Sequence, residues 1–231
     1  MLSGSSVEGG HALRLDSGNV VYARRVLLAT GMDYLPPDLP GVAELWGSSV
    51  FQCPFCHGWE MRDKGLAALA TGDEGVHAAL MLRGWSDDVV LLTDGPSKLS
   101  ATQARLLESA KVSIEERRIA ALMSSGGALS AISFTDGDRL EREGLLVEAP
   151  LRQRSRLAEE LGVSCTPGPV AADSLTVDDL HRTNVPTVFA AGDLCAEQPY
   201  LAGAIAAGSQ TAMIVVQSLL ADEFGLPYPP D

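Results

Sequence analysis

The stretch GLAALATGDEGVHAALMLRGWSDDVVLLTDG, residues 65–95, most narrows what this chain can fold into. An apolar run of strand length comes first, then a glycine-bearing turn. Val76, Ala79, Leu80, Leu82 and Trp85 then recur at helical spacing. A second apolar run, VVLL, closes on a turn. Strand, helix and strand within about 30 residues make a β-α-β unit. Such a crossover joins parallel strands and needs helices to cover the sheet, so the fold class is α/β.

The rest of the chain continues the alternation. HALRL and VVYA, separated by DSGN, read as strands of a meander over the first 31 residues, and ARRVLLATG as a buried strand ending at Gly31. DYLPPDLPG, with three prolines and a glycine, is a connector. SATQARLLESAKV predicts a helix with Ser100 as its N-cap, and ALMSSGGALSAISF a hairpin turning at the glycines. LLVEAP (145–150) and Val185–Ala191 predict further strands, RSRLAEELGV a short helix, and YLAGAIAAGSQTAMIVVQSLLA a long helix rich in small residues. The connector and the region near residue 150 divide the chain into 1–44, 45–150 and 151–231, the outer two segments forming one domain around an inserted middle.

A net charge of −13 over 231 residues opposes binding to nucleic acid or anionic membranes. No apolar run reads as reaching the ~20 residues that span a bilayer, and MLSGSSVEGG lacks the features of a signal peptide, so the expected setting is the cytoplasm. Of the four cysteines, Cys165 and Cys195 read as small buried hydrophobes. The scattered histidines and the single close cysteine pair give no metal-ligand spacing, and no metal is expected.

Three motifs carry chemistry. In FQCPFCHGWE, Cys53 and Cys56 have the spacing of a pair that interconverts between dithiol and disulfide. His57 follows directly, and an imidazole there can move a proton near neutral pH; the alternative is a solvated loop residue. In ATGDEG, Gly72 and Gly75 lie between strand and helix, where a dinucleotide's phosphates meet backbone N–H groups, although Ala70 stands at the first glycine position. Asp94 ends the next strand where a ribose hydroxyl is held, with Lys98 as the one cation near it in sequence. In AAGD, residues 190–193, a strand ends on Gly192 and Asp193 before the small-residue helix, where a carboxylate could hold a cofactor's sugar chain or cap a turn.

Two resemblances follow. CPFC is similar to the CPYC of glutaredoxins, and VPTVF to the cis-proline strand of thioredoxin folds, but Cys56 and Pro186 are 130 positions apart, too far for one such fold. VLLATGMDYLPPDLPGVAELWG, CPFCHGWEMRDKG and VPTVFAAGD, in that order, resemble the thioredoxin reductase-like flavoproteins, over about residues 10–220. CPFCHG resembles in particular the branch holding dithiol oxidases of the gliotoxin and holomycin type. The resemblance implies two Rossmann-like three-layer domains, an FAD domain split by an inserted NAD(P) domain. It implies FAD as cofactor with NADPH as a second one, a homodimer, and a small-molecule dithiol or disulfide or a thioredoxin-like protein as substrate. Cys56 would face the flavin, Cys53 would exchange with substrate sulfur, and His57 would act as acid/base. Thr30, Gly31, Gly192 and Asp193 would line FAD, and Gly72 and Gly75 the nicotinamide dinucleotide. The family's opening β-α-β unit has no counterpart before Gly31, so the FAD domain reads as N-terminally incomplete. The alternative is a flavin-free remnant serving as a binding module or without activity.

Overall fold

The computed structural model describes residues 3–196 and 198–228. The chain forms two compact units, Pro36–Ala149 and the paired outer segments Met1–Leu35 and Pro150–Asp231. The first boundary lies at the Pro36-Pro37 pair of the connector. The short helix α1 (Val42–Leu45) therefore belongs to the middle unit, whose core takes up Val42 and Leu45.

In the first outer segment, β1 (Ser3–Val7), β2 (Gly10–Arg14) and β3 (Val20–Ala23) form an antiparallel meander in that order. Gly9 and Gly18 take positive φ at its two turns. β4 (Val26–Leu28) and β5 (Met32–Tyr34) follow.

The middle unit holds β6 (Val50–Phe51), α2 (Pro54–His57), β7 (Leu66–Leu69), α3 (Gly72–Leu82), β8 (Val89–Leu92), α4 (Ala101–Ser109) and β9 (Val112–Glu115). Then come β10 (Ile119–Ser125), β11 (Ala128–Phe134), β12 (Arg139–Glu141) and β13 (Gly144–Val147). Its sheet runs β6-β13-β7-β8-β9 with every pairing parallel. Alternate residues point to opposite faces, and both faces are buried. Leu66, Ala68, Val89 and Leu91 pack with Val76, Ala79 and Leu82 of α3. Ala67, Val90, Leu92 and Leu145 pack with Leu122, Ile132 and Phe134 of the antiparallel β10-β11-β12 sheet. Helices, parallel sheet and antiparallel sheet thus make three layers. Ser100 caps α4 through a reciprocal box with Gln103.

In the second outer segment, β14 (Leu151–Gln153) pairs antiparallel with β5, and α5 (Leu157–Glu160) packs on β1. β15 (Cys165–Thr166) and β16 (Ser174–Leu175) make a two-stranded ladder. β17 (Val188–Ala190) pairs parallel with β4, and α6 (Leu201–Phe224) packs against both. The predicted strand Val185–Ala191 is trimmed at its start. Pro186 offers no N–H to a ladder, and the Val188 N–H turns back to the Val185 carbonyl.

The expectation of no membrane-length apolar run needs correction. α6 has 24 residues and a mean hydropathy of 1.5, enough by length and composition to cross a bilayer. Its alanines and glycines dilute the pattern without adding charge. In the fold it buries Thr211, Ile214, Ser218 and Ala221, while Leu201, Ile205, Met213 and Phe224 stay exposed. Arg25 anchors its far end, donating to Ser218 Oγ at 3.0 Å and pairing with Asp222.

Candidate functional site

Cys53 is the N-cap of α2 and Pro54 its first residue, a position where the missing N–H costs nothing. The Cys56 and His57 N–H groups both donate to the Cys53 carbonyl, which closes the turn. The two sulfurs are brought to 2.7 Å, with the Cys56 S–H directed at Cys53 Sγ. Both thiols are free. Burial pushes the Cys56 thiol up to about 11, helped by the bond to Cys53, so it stays protonated at neutral pH. It can therefore donate to charge forming on Cys53.

His57 stacks on the buried Phe51 ring at 5.5 Å, and its Nδ1 is buried without a hydrogen-bond partner. Beside the pair, Phe55 and Trp59 expose their aromatic rings. The Arg62 guanidinium lies 4.0 Å over the Trp59 ring. Sequence reasoning missed the support under this turn. A Cβ on Gly58 would stand 2.3 Å from the Pro54 carbonyl oxygen and 2.4 Å from the Trp85 indole. Glycine at position 58 is thus a packing requirement; only the HGW string hinted at it.

Thr30, Gly31, Gly192 and Asp193 lie together in the outer unit. β4 and β17 are adjacent and parallel, with Leu28 opposite Ala190, so both turns leave the carboxyl ends of neighbouring strands. Ligands of open α/β sheets bind at such ends. Gly31 and Gly192 adopt φ of 67° and 78°, and no atom lies within 3.5 Å of a Cβ built on either. Thr30 is exposed, and the Asp193 carboxylate makes no hydrogen bond or ion pair among the described residues. An open cradle with a free carboxylate fits the sugar chain of a flavin cofactor.

Gly72 and Gly75 part company. Gly72, at φ 61°, opens α3 with nothing near it. Gly75 is buried: a Cβ there would meet the Ala70 carbonyl oxygen at 2.8 Å, so it serves the close approach of helix to strand. Asp94 is tied down, its Oδ1 accepting from the Ile119 N–H at 2.7 Å. Lys98 is not the one cation by it, because Arg118, from the segment before β10, comes within 3.5 Å of Asp94 Oδ2.

The remaining cysteines are less buried than expected. Cys165 is exposed on the short ladder, where Gln153 Nε2 approaches its sulfur at 3.4 Å. Cys195 is half-buried beside the Gly192 turn, its thiol pushed up to about 11 by burial and the Asp193 charge. Among the described residues no group of three or more His, Cys, Asp or Glu could hold a metal ion.

Residues 3–211 match the model of a family described as pyridine nucleotide-disulphide oxidoreductase. The chain is 31% identical over 215 residues to thioredoxin reductase tcpT of Claviceps purpurea, covering 90% of this chain and 66% of the relative. It is 27% identical to thioredoxin reductase aclD of Aspergillus oryzae, covering 89% and 67%. The chain thus spans about two-thirds of the length of these relatives. Among solved structures, a putative thioredoxin reductase TrxB from Bacillus anthracis superposes with a TM-score of 0.86 at 28% identity, over 96% of this chain and 73% of that one. HlmI superposes with a TM-score of 0.84 at 29% identity, over 96% and 69%. The family and these thioredoxin reductases are FAD-dependent, with NADPH as a typical partner. By the extent of the family match and the shared fold, the chain belongs to the pyridine nucleotide-disulphide oxidoreductases, in their thioredoxin reductase-like group.

Proposed function

We propose that this chain is an FAD-dependent thiol/disulfide oxidoreductase, with Cys53 and Cys56 as the redox pair. The observation that carries the reading is the 2.7 Å approach of the two sulfurs on one helical turn. That is close enough for a bond of about 2.05 Å to form with little chain movement.

In the oxidising direction, a thiolate of a dithiol substrate attacks Cys53 Sγ. The Cys53–Cys56 bond breaks, and Cys56 leaves as thiolate and takes a proton, a transfer we assign to His57, the next residue in the chain. The second substrate sulfur then attacks the mixed disulfide and releases Cys53. The substrate has lost two electrons and two protons, and the cysteine pair has gained both. The reverse sequence reduces a substrate disulfide. FAD, when bound, supplies the two-electron carrier for the pair, with NADPH or oxygen as terminal partner. Thr30, Gly31, Gly192 and Asp193 would hold it. Phe55 and Trp59 offer apolar contact to a small-molecule dithiol or to a thioredoxin-like protein.

The test is anaerobic addition of a dithiol to the FAD-loaded chain while the flavin absorbance is followed. The band bleaches with the wild type and does not with Cys56→Ser. Equal bleaching rates in the two proteins would overturn the reading.

A further inference from the structure

One buried histidine of the outer unit takes no part in the chemistry above. His11 lies on β2 and is only 2% exposed. Its Nε2 stands 2.8 Å from Thr187 Oγ1, and its Nδ1 is buried with no hydrogen-bond partner among the described residues. Neutral, the ring can keep its one proton on Nε2 and leave Nδ1 a bare lone pair. Protonated, it carries an N–H on Nδ1 with no acceptor, and a charge held out of water.

The elements around His11 offer that charge no partner. Its register partners are Ser6 on β1 and Ala23 on β3, neither of them charged. Burial, together with the like charge of Arg25 just ahead of β4, holds the imidazole below its ordinary range. On α6, Asp222 is paired with Arg25 and Glu223 with Arg24. On α5, Glu160 accepts from the Gly4 N–H of β1. Tyr228, which also lies near Arg25, presents a phenol, and Asp178 beside it is paired with Arg182. Among the described residues no carboxylate pairs with the His11 ring.

The place of this contact gives it leverage. Thr187 immediately precedes β17, and its carbonyl accepts at 3.0 Å from the N–H of Val26, the first residue of β4. His11 thus grips the amino ends of two strands whose carboxyl ends lead to Gly31 and to Gly192 and Asp193. The ladder between them pairs only three positions, so loosening one end reaches the other. We infer that His11 is an acid-sensitive latch on the flavin cradle: neutral, it ties the meander to β4 and β17, and protonated, it lets both strands and their turns loosen. The inference rests on the reading of those turns as the place of FAD. The contribution of the latch is fully present above about pH 6.5, the ordinary value for histidine, and is lost as the pH falls below it.

Urea denaturation of the wild type and of His11→Gln, which stays neutral, tests this at pH 7.5 and pH 5.5. The unfolding constant rises more in the wild type than in the variant over this range, by up to roughly tenfold, the limit for one proton over one pH unit below about 6.5. Amide hydrogen exchange of the wild type alone, corrected for the intrinsic effect of pH, serves where the variant does not fold. Protection at 26–31 and 188–193 falls at pH 5.5, while that of β7 and β8 is kept. On gel filtration the FAD-loaded wild type keeps its FAD at pH 7.5 and sheds it at pH 5.5, and His11→Gln keeps it at both. An equal response to pH in the two proteins, unchanged protection at 26–31 and 188–193, or a wild type that holds FAD at pH 5.5 overturns the inference. A chain that takes up no FAD at pH 7.5 refutes the flavin reading instead, and the latch is then decided by the urea and exchange results.

Discussion

Replacing Gly58 by alanine probes the platform under the cysteine pair. Gly58 has φ −62° and ψ −33°, a backbone that alanine adopts without strain. Alone, that would favour the variant by about 0.4–1 kcal/mol through the unfolded chain. The added methyl, however, would stand 2.3 Å from the Pro54 carbonyl oxygen and 2.4–2.5 Å from two atoms of the Trp85 indole. Neither neighbour is the far end of a flexible side chain. Overpacking of this kind costs about 1–3 kcal/mol. The net loss is on the order of 1–2 kcal/mol, which for a chain of this length, at about 2–4 °C per kcal/mol, lowers Tm by roughly 2–8 °C. Because Pro54 is the first residue of α2, the displaced turn also separates the two sulfurs and slows disulfide closure. Thermal denaturation and a timed thiol titration read the two effects. Trp85→Leu provides a control: in the double variant part of the indole overlap is gone, so the two losses add to less than their sum. A Gly58→Ala protein with wild-type Tm and wild-type closure rate would refute the packing argument.

Two further outcomes follow from the same geometry. Cys56 is held as a thiol until about pH 11, so its alkylation rises roughly tenfold per pH unit between pH 8 and 10; peptide mapping of iodoacetamide-labelled protein checks this, and a rate already flat at pH 8 contradicts it. Gly75→Ala forces α3 off β7 at the Ala70 carbonyl and lowers stability by about 1–3 kcal/mol in urea denaturation, whereas Gly72→Ala meets no neighbour and is limited to the cost of its positive φ.

The middle unit was the more legible half. Its strands are continuous apolar runs because both sheet faces are buried, and Ser100 announced its helix through a local cap. The CxxC pair was legible for the same reason, since one turn of chain brings its sulfurs together. Long-range placement was not legible. β6 is two residues long and exists because β13, far along the chain, pairs with it. Trp85 lies beneath Gly58, and Arg118 reaches Asp94, only once the sheet is assembled. Cys165 looked like a core residue by type, yet it falls on a two-residue ladder at the surface. The single βα turn ATGDEG suggested ligand contact for both glycines, and the close approach of Gly75 to the Ala70 carbonyl, a helix–strand packing role, was not legible in it.

The central claim is that Cys53 and Cys56 form a reversible redox pair. Its most direct measurement is a thiol count with disulfide mapping on the reduced chain before and after mild oxidation by a disulfide reagent. The account predicts that the four thiols fall to two, with one bond joining Cys53 to Cys56 that a dithiol reopens. Four thiols surviving oxidation, or a bond that joins some other pair, would contradict it.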